Sequence, residues 1–455
     1  MNEFNKDNDL QSESREFLFK FFTLLEKWGV ESCVVGGSLE LIGHSDRDID
    51  VVVPEDKLRD ISSVLYTFHQ QLKVRVVQVL QHERSAFVFF VTSERGEHND
   101  YPWFVPLDVC ADYYRNGRLF LRASEILENR VLATDKDGNE CGYFVPAPAN
   151  EFIYYLLKKI DKQFLNDDQG SHLSAVWKMD PNAGSSQIER FWSGQDAALL
   201  RKATEDNDWA PVRRALTRLQ RSLHKNLTRT TIKAFAQEFA RKMRRMLQPT
   251  GLHVAFLGAD GSGKSTVIEH TFAALAPIFR RTCYMHLRPA IGLGRRDTKP
   301  VVDPHGKPPR SWVVSVVKVF YFLFDYAIGW WAIVRPQLVR STFVVFDRYY
   351  HDLLVDPLRY RYGGPMWLAR WVGKLIPQPD LWILLDAPAD VLQARKQEVP
   401  FEETVRQREE YLKLVKGVKN GVIVDASQQL DDVVVNTNAA ILIFMAERAA
   451  KHLGR

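Results

Sequence analysis

Residues 258–265, Gly258-Ala259-Asp260-Gly261-Ser262-Gly263-Lys264-Ser265, fit the pattern G-x-x-x-x-G-K-[ST] without a mismatch. Glycines at these spacings let backbone N–H groups turn inward onto phosphate oxygens. Lys264 would neutralise β- and γ-phosphate charge, and the Ser265 hydroxyl would hold Mg²⁺. The chemistry expected is capture of a nucleoside triphosphate, ATP with Mg²⁺, by Gly258, Asp260, Gly261, Ser262, Gly263, Lys264, Ser265 and Thr266. "HVAFL" before the loop and "STVIEHTFAAL" after it read as strand and helix, so the helix dipole adds to the anion site. Downstream, "STFVVFDRYYHD" ends an apolar strand at Asp347, suited to a place on or near the metal. Arg348 follows as a fixed cation for a phosphate oxygen. The helix after "LWILLD" carries Arg395 and Lys396 into a polar, Pro-containing loop. Cations there could close over a transferring phosphoryl group, or could simply satisfy a helix C-terminus.

A second constellation lies near the N-terminus. "VVGGSLELIGHSDRDIDVVV", 34–53, resembles the signature of the nucleotidyltransferase superfamily: a Gly-Gly-Ser turn, a short helix, then a strand bearing D-x-D. Asp48 and Asp50 share one face of that strand, because side chains alternate. The resemblance calls for a third carboxylate, and "FVPLDVCAD" offers Asp108. Three carboxylates holding Mg²⁺ would align a triphosphate for attack at its α-phosphate, with Gly36, Gly37 and Ser38 around the remaining phosphates. Lys158, Lys159 and Lys162 lie on a following helix, which either touches the triphosphate or is a solvated face. Glu40 and His44 read as structural.

Three segments must position these residues. Over 1–165, apolar runs such as "DIDVVV", "VRVVQVL" and "AFVFFVT" alternate with turn residues and read as short strands, and the resemblance above implies that they belong to an α+β nucleotidyltransferase-like domain. Residues 166–250 read as a helical, basic connector. From 251 to 455, strands alternate with helix-length stretches, which implies an α/β domain with a parallel sheet covered on both faces.

A chain of 455 residues is long enough for two or three such domains. The polar N-terminus lacks the apolar core of a signal peptide. Cys33, Cys110, Cys141 and Cys283 form no close pair, which points to a reducing compartment and away from structural zinc. The expected home is the cytoplasm, peripheral at most to the inner face of a membrane. The apolar run 312–334 is long enough to span, but Lys318 and Asp325 inside it would be costly at a bilayer centre. Seven residues apart, these two share roughly one helical face, which suggests a mostly buried helix with one wet side. Residues 212–245 hold eleven Lys/Arg against Glu238 alone. The stretch is either a solvated linker or a surface for anionic partners, including a membrane; without an RNA-binding signature, nucleic acid is the weaker partner.

The C-terminal stretch resembles the thymidylate kinase family of P-loop nucleotide kinases, through "GADGSGKST", "VVFDRYYHD", "LLDAPADVLQARKQE", "RQREEYLKL" and "GVIVDAS" in the family's order. The resemblance implies a five-stranded parallel sheet, ATP on the P-loop, Arg395 in a lid, and Asp347 and Arg348 where donor and acceptor phosphates meet. Two family features differ. The helical Asp-Arg pair that holds the acceptor phosphate is replaced by Asp325-Tyr326, and the base-reading Gln after the Asp-Arg-Tyr motif is missing from "DRYYHDLLVDPLRYRYGGP". Instead, a Pro/Gly-rich loop, 286–311, carries Arg288, Arg295, Arg296, Lys299, Lys307 and Arg310 against Asp297 and Asp303. Its composition suits a larger anionic acceptor, such as a phosphosugar or a glycan- or lipid-linked precursor.

The expected function is therefore transfer of the ATP γ-phosphoryl group to such an acceptor, with Lys264, Asp347, Arg348 and Arg395 carrying catalysis. A second reading makes Asp48, Asp50 and Asp108 the catalytic centre of a nucleotidyltransferase, with the P-loop unit binding or sensing nucleotide. A third makes the chain a nucleotide-gated scaffold on a membrane surface.

Overall fold

The computed structural model describes residues 3–36, 48–83, 85–93, 103–115, 118–134, 138–227, 232–289 and 305–454. Contacts divide the chain into two units, Met1–Met243 with Ala449–Arg455, and Arg244–Arg448.

In the first unit, strands β1 (Cys33–Val35), β2 (Ile49–Val52), β3 (Val74–Glu83), β4 (Ala86–Ser93) and β5 (Phe104–Cys110) form a sheet in the order β1-β2-β5-β4-β3. β2 and β5 run parallel; the other pairs are antiparallel. β5 alternates buried and half-buried residues along its whole length, as a strand with one covered face must. Helix α1 (Glu3–Lys27) contributes Phe17, Phe21 and Leu25 to the core, and α2 (Pro148–Lys162) contributes Phe152, Leu156 and Ile160.

The segment expected as a separate connector does not stand apart. Helices α3 (Asp167–Met179), α4 (Pro181–Phe191), α5 (Gly194–Asp206) and α6 (Ala210–Asn226) bury Leu173, Ile188, Leu200 and Leu219 in the same hydrophobic core as α2. Composition showed the basic face of α6 but not the four apolar positions on its other side: Val212, Leu216, Leu219 and Leu223. Part of the positive charge is also used internally, Arg213 pairing with Asp167 at 2.5 Å and Arg218 with Asp196 at 2.9 Å.

The second unit has the expected five-stranded, all-parallel sheet. Its strands are β6 (Leu252–Leu257), β7 (Arg281–His286), β8 (Thr342–Asp347), β9 (Leu381–Asp386) and β10 (Gly421–Asp425), in the order β7-β8-β6-β9-β10. β6 and β8 are buried at every position, the pattern of strands covered on both faces. The chain leaves β6 toward one edge of the sheet and leaves β8 toward the other. The crevice between their carboxyl ends is therefore the topological switch point, where open parallel sheets bind ligands.

Helix α8 (Trp312–Gly329) corrects a second expectation. It buries Ser315, Val319, Phe322, Asp325 and Tyr326, but Val313, Val317, Phe324, Ile328 and the following Trp331 are exposed. Trp367, Trp371 and Leu375 of α9 (Met366–Leu375), which packs against α8, are exposed too. Hydropathy reports that a helix is apolar all round; it does not report what covers it.

Two buried histidines make this unit acid-sensitive. His253 sits among Trp330, Phe346 and Tyr349 with both ring nitrogens unpartnered, and burial alone lowers its pKa to about 3. His351 is lowered to about 4 for the same reason. A depressed histidine pKa gives stability that is complete above the unfolded value of 6.5 and is lost as pH falls toward the folded value. Each histidine is expected to cost about 2 kcal/mol by pH 5. Urea midpoints at pH 7.5 and pH 5 should differ measurably in the wild type and by about half as much in His253→Phe; equal differences would contradict the assignment.

Candidate functional site

β6 delivers the chain into a tight turn whose glycines are sterically required. Gly258 (φ +147°) has Leu385 O and Ser262 Oγ 2.7 Å from where a Cβ would sit, and Gly261 (φ +85°) has Leu392 O at 2.7 Å. The turn ends at Gly263, and helix α7 (Lys264–Leu275) begins with Val267 N donating to Gly263 O at 3.0 Å. Its first N–H groups and the loop amides make the expected anion cradle.

Lys264 lies within the loop, its Nζ donating to Gly258 O at 2.8 Å, Ala259 O at 3.0 Å and Ser262 Oγ at 3.3 Å. Burial, and after it the charge of Arg348, lowers the ammonium to about 8. These carbonyl contacts are ones that a phosphate can replace with charge-assisted bonds.

Asp347 ends β8 beside β6, in register with Phe256. Its Oδ2 accepts from Tyr284 Oη–H at 2.9 Å and Ser265 Oγ–H at 3.3 Å. Its Oδ1 is buried without a hydrogen-bond partner. An orphaned carboxylate oxygen beside a P-loop serine hydroxyl is an oxygen donor set that fits Mg²⁺.

Arg348 takes a left-handed conformation (φ +67°), uncommon for a residue with a Cβ, and this turns its guanidinium back toward the loop. Nη1 donates to Asp352 Oδ2 at 2.7 Å and Nη2 donates to Asp260. Asp352 is fully buried and also accepts from the hydroxyls of Tyr360 (2.7 Å) and Tyr411. Burial would raise its carboxyl, but Arg348 and the two hydroxyls outweigh burial and hold it below the usual range. Asp260 is governed likewise: burial opposes its charge, while Arg348 and Arg359 together hold it well below the usual range.

Lys264, Ser265, Asp260, Asp347 and Arg348 are thus brought together. Arg395 is not among them. It is exposed, and Nη1 donates to Ala426 O at 2.8 Å beyond the end of β10. The reason is local: the helix Ala389–Arg395 stops at this residue, and the side chain reaches the nearest free carbonyl. Arg359 occupies the cationic position beside Asp260 instead, and its Nη2 donates to Glu398 Oε2 at 3.5 Å. Sequence reasoning missed Arg359, Tyr284, Asp352 and Tyr411. Only Asp352, four residues after Arg348, carried a local signal, since such a spacing suits an ion pair on one turn.

In the first unit, the pairing of β2 with β5 sets Asp50 directly opposite Asp108. Burial, and next the charge of Asp50, raises Asp108 to about 7, with a further push from Asp48. The three predicted carboxylates therefore act on one another. Gly36 (φ +87°) ends β1 close to Asp50, whereas Gly37, Ser38, Glu40 and His44 lie outside the described residues. Lys158 is not a free phosphate ligand: its Nζ donates to Asp50 Oδ2 at 2.5 Å. Lys159 lies over the Tyr155 ring at 4.6 Å. Arg295, Arg296, Asp297, Lys299 and Asp303 also lie outside the described residues.

Comparison with known proteins finds similarity in the second unit. The thymidylate kinase family model matches residues 256–437. "Probable thymidylate kinase 1" of Saccharolobus solfataricus is 27% identical over 193 residues, which cover 40% of this chain and 91% of that protein. "Thymidylate kinase" of Xanthomonas campestris pv. campestris (strain B100) is 24% identical over 218 residues, 44% of this chain and 88% of that protein. "Probable thymidylate kinase" of Pyrobaculum calidifontis is 26% identical over 217 residues, 45% of this chain and 100% of that protein.

Proposed function

We propose that the P-loop unit transfers the γ-phosphoryl group of ATP to an anionic acceptor. Similarity to thymidylate kinases across 256–437 supports a kinase. The observation that carries the reading is the convergence of Lys264, Ser265, Asp347 and Arg348 at the switch-point crevice, with the Asp347 Oδ1 still unsatisfied. Phosphoryl transfer asks the protein mainly for position and charge neutralisation. Lys264 would exchange its loop carbonyls for β- and γ-phosphate oxygens. Arg348, oriented by Asp352, would meet the moving phosphoryl group, and Arg359 is close enough to share that charge through Asp260. Ser265 and Asp347 would hold Mg²⁺, which when bound withdraws charge from the β- and γ-phosphates.

The acceptor differs in our reading from the one that the relatives' names state. Tyr326 stands where the family's helical arginine would hold the acceptor phosphate. It is buried, and its hydroxyl donates to Leu287 O, so no cation projects from that position. An ATP-consumption screen of the full chain against nucleoside monophosphates, sugars and phosphosugars tests the proposal. Turnover with a phosphosugar or related anion, exceeding that with dTMP, is expected. Activity confined to dTMP would overturn the acceptor assignment, and acceptor-independent behaviour throughout would overturn the kinase reading.

A second reading rests on the apposition of Asp50 and Asp108. Two carboxylates side by side repel, and although Lys158 hydrogen-bonds Asp50 and its charge also reaches Asp108, burial and Asp50 still raise Asp108. We propose that this pair, with Asp48, binds a divalent ion and a nucleotide. Partnership with a membrane through 212–245 and a cytoplasmic location remain secondary proposals.

A further inference from the structure

A cluster of four cations lies next to the transfer crevice and is used by none of the steps above. Lys318 projects from α8, and its Nζ donates to Tyr360 O at 2.5 Å. The same tyrosine donates its hydroxyl to Asp352, the carboxylate that orients Arg348. One tyrosine residue therefore separates Lys318 from the catalytic arginine's anchor. Arg288 follows Leu287, whose N–H donates to Asp347 O at 3.0 Å, which sets it beside the carboxyl end of β8. Its Nη1 donates to Tyr321 Oη at 2.7 Å and lies 3.2 Å from Asp325.

The wall that carries the remaining two cations is tied together by backbone and side-chain hydrogen bonds. Arg310 N donates to Arg361 O at 3.0 Å, Arg361 Nε donates to Pro308 O at 3.1 Å, and Gly363 N donates to Ser315 Oγ on α8 at 2.9 Å. Arg310 and Arg361 are thereby held against the start of the helix that presents Lys318. Among the described residues, the charged groups acting on Lys318 are Arg310, Arg361 and Arg288, all cations; burial and their repulsion lower it to about 8. Asp325 also lies on this wall, where it pairs with Arg288.

Converging like charges cost free energy unless an anion joins them. They come from four separate segments (the residues after β7, the run into α8, α8 itself, and the turn around 361), so neighbouring charges along one helix do not explain the arrangement. We propose that Lys318, Arg288, Arg310 and Arg361 form a seat for a second anionic group of the acceptor, a phosphate or diphosphate remote from the position that receives the transferred phosphoryl group. The acceptor class is then a phosphorylated molecule with at least one such remote anion, and a neutral sugar or nucleoside would not fill the site. This rests on the phosphotransferase reading for the word acceptor, but the anion seat itself needs no turnover.

The test uses the full chain with its P-loop saturated by Mg²⁺ and a non-hydrolysable ATP analogue. Glucose 6-phosphate and glucose 1,6-bisphosphate are titrated by calorimetry. The bisphosphate should bind at least about tenfold more tightly, the equivalent of about 1.4 kcal/mol, and the advantage should shrink as salt is raised. Lys318→Met keeps the aliphatic stem, and Arg361→Gln changes a half-exposed residue; each should remove most of the advantage while leaving analogue binding unchanged. Equal affinities in the wild type, no binding of either sugar, or an advantage retained in both variants would each overturn the proposal. If the bisphosphate advantage behaves as expected but no acceptor is ever phosphorylated, the anion seat stands and the phosphotransferase reading falls.

Discussion

Lys264→Ala is expected to lower acceptor-dependent ATP turnover by about a thousandfold or more while the chain stays folded. The size follows from removing a fixed charge aimed at the phosphates, which costs about three decades, or roughly 4 kcal/mol of barrier, in comparable sites. The survival of the fold follows from what the ammonium touches. All three of its hydrogen-bond partners are oxygens of its own loop, so no carboxylate loses a hydrogen bond when it goes. Circular dichroism and the urea midpoint should therefore change little. Turnover within tenfold of the wild type would contradict the assignment.

Arg348→Met should abolish turnover as well, but for two separable reasons. The guanidinium is buried and bridges Asp352 and Asp260, so its loss strands a carboxylate that the protein has fully desolvated. Breaking one side of such a pair typically destabilises by about 3–5 kcal/mol. Asp260 keeps Arg359 as a partner; Asp352 keeps only hydroxyls. The double variant Arg348→Met/Asp352→Asn is therefore expected to recover most of the lost stability, because the neutral amide oxygen can still accept from Tyr360 or Tyr411. It should recover none of the activity. Restored turnover in the double variant would reduce Arg348 to a structural cation.

These two residues also mark how far the sequence could be read. Lys264 and Arg348 stand in contiguous motifs, where local order suffices: a glycine turn between strand and helix, and a strand ending in Asp-Arg. The apposition of Asp50 and Asp108 was legible for a related reason, since strand alternation sets the face and only the register remained to be found. Arg359, Tyr284 and Tyr411 were not legible, because each reaches the site from a segment whose placement depends on tertiary packing. Tyr411 lies 59 residues from its partner Asp352. Arg395 illustrates the converse, a residue in the right motif whose side chain is satisfied elsewhere. The apolar run of α8 was read as a buried helix, but burial is a property of neighbours, and its outer face has none within the second unit as described.

The cationic wall around Lys318 joins both lessons. Its residues were visible as charges in the sequence, yet their proximity required the tertiary hydrogen bonds that fasten 308–310 to 361 and α8 to 363. In our reading, Tyr326 in place of a helical arginine and Lys318 eight residues earlier form one exchange, in which the acceptor's charge is gripped further from the transfer point.

Calorimetric titration of the full chain with ATP, with and without Mg²⁺, bears most directly on the whole account. Saturable uptake that is strengthened by Mg²⁺, with a component assigned to the second unit's loop that disappears in Lys264→Ala, is the result expected. A well-folded wild type that takes up no ATP in the presence of Mg²⁺ would contradict it.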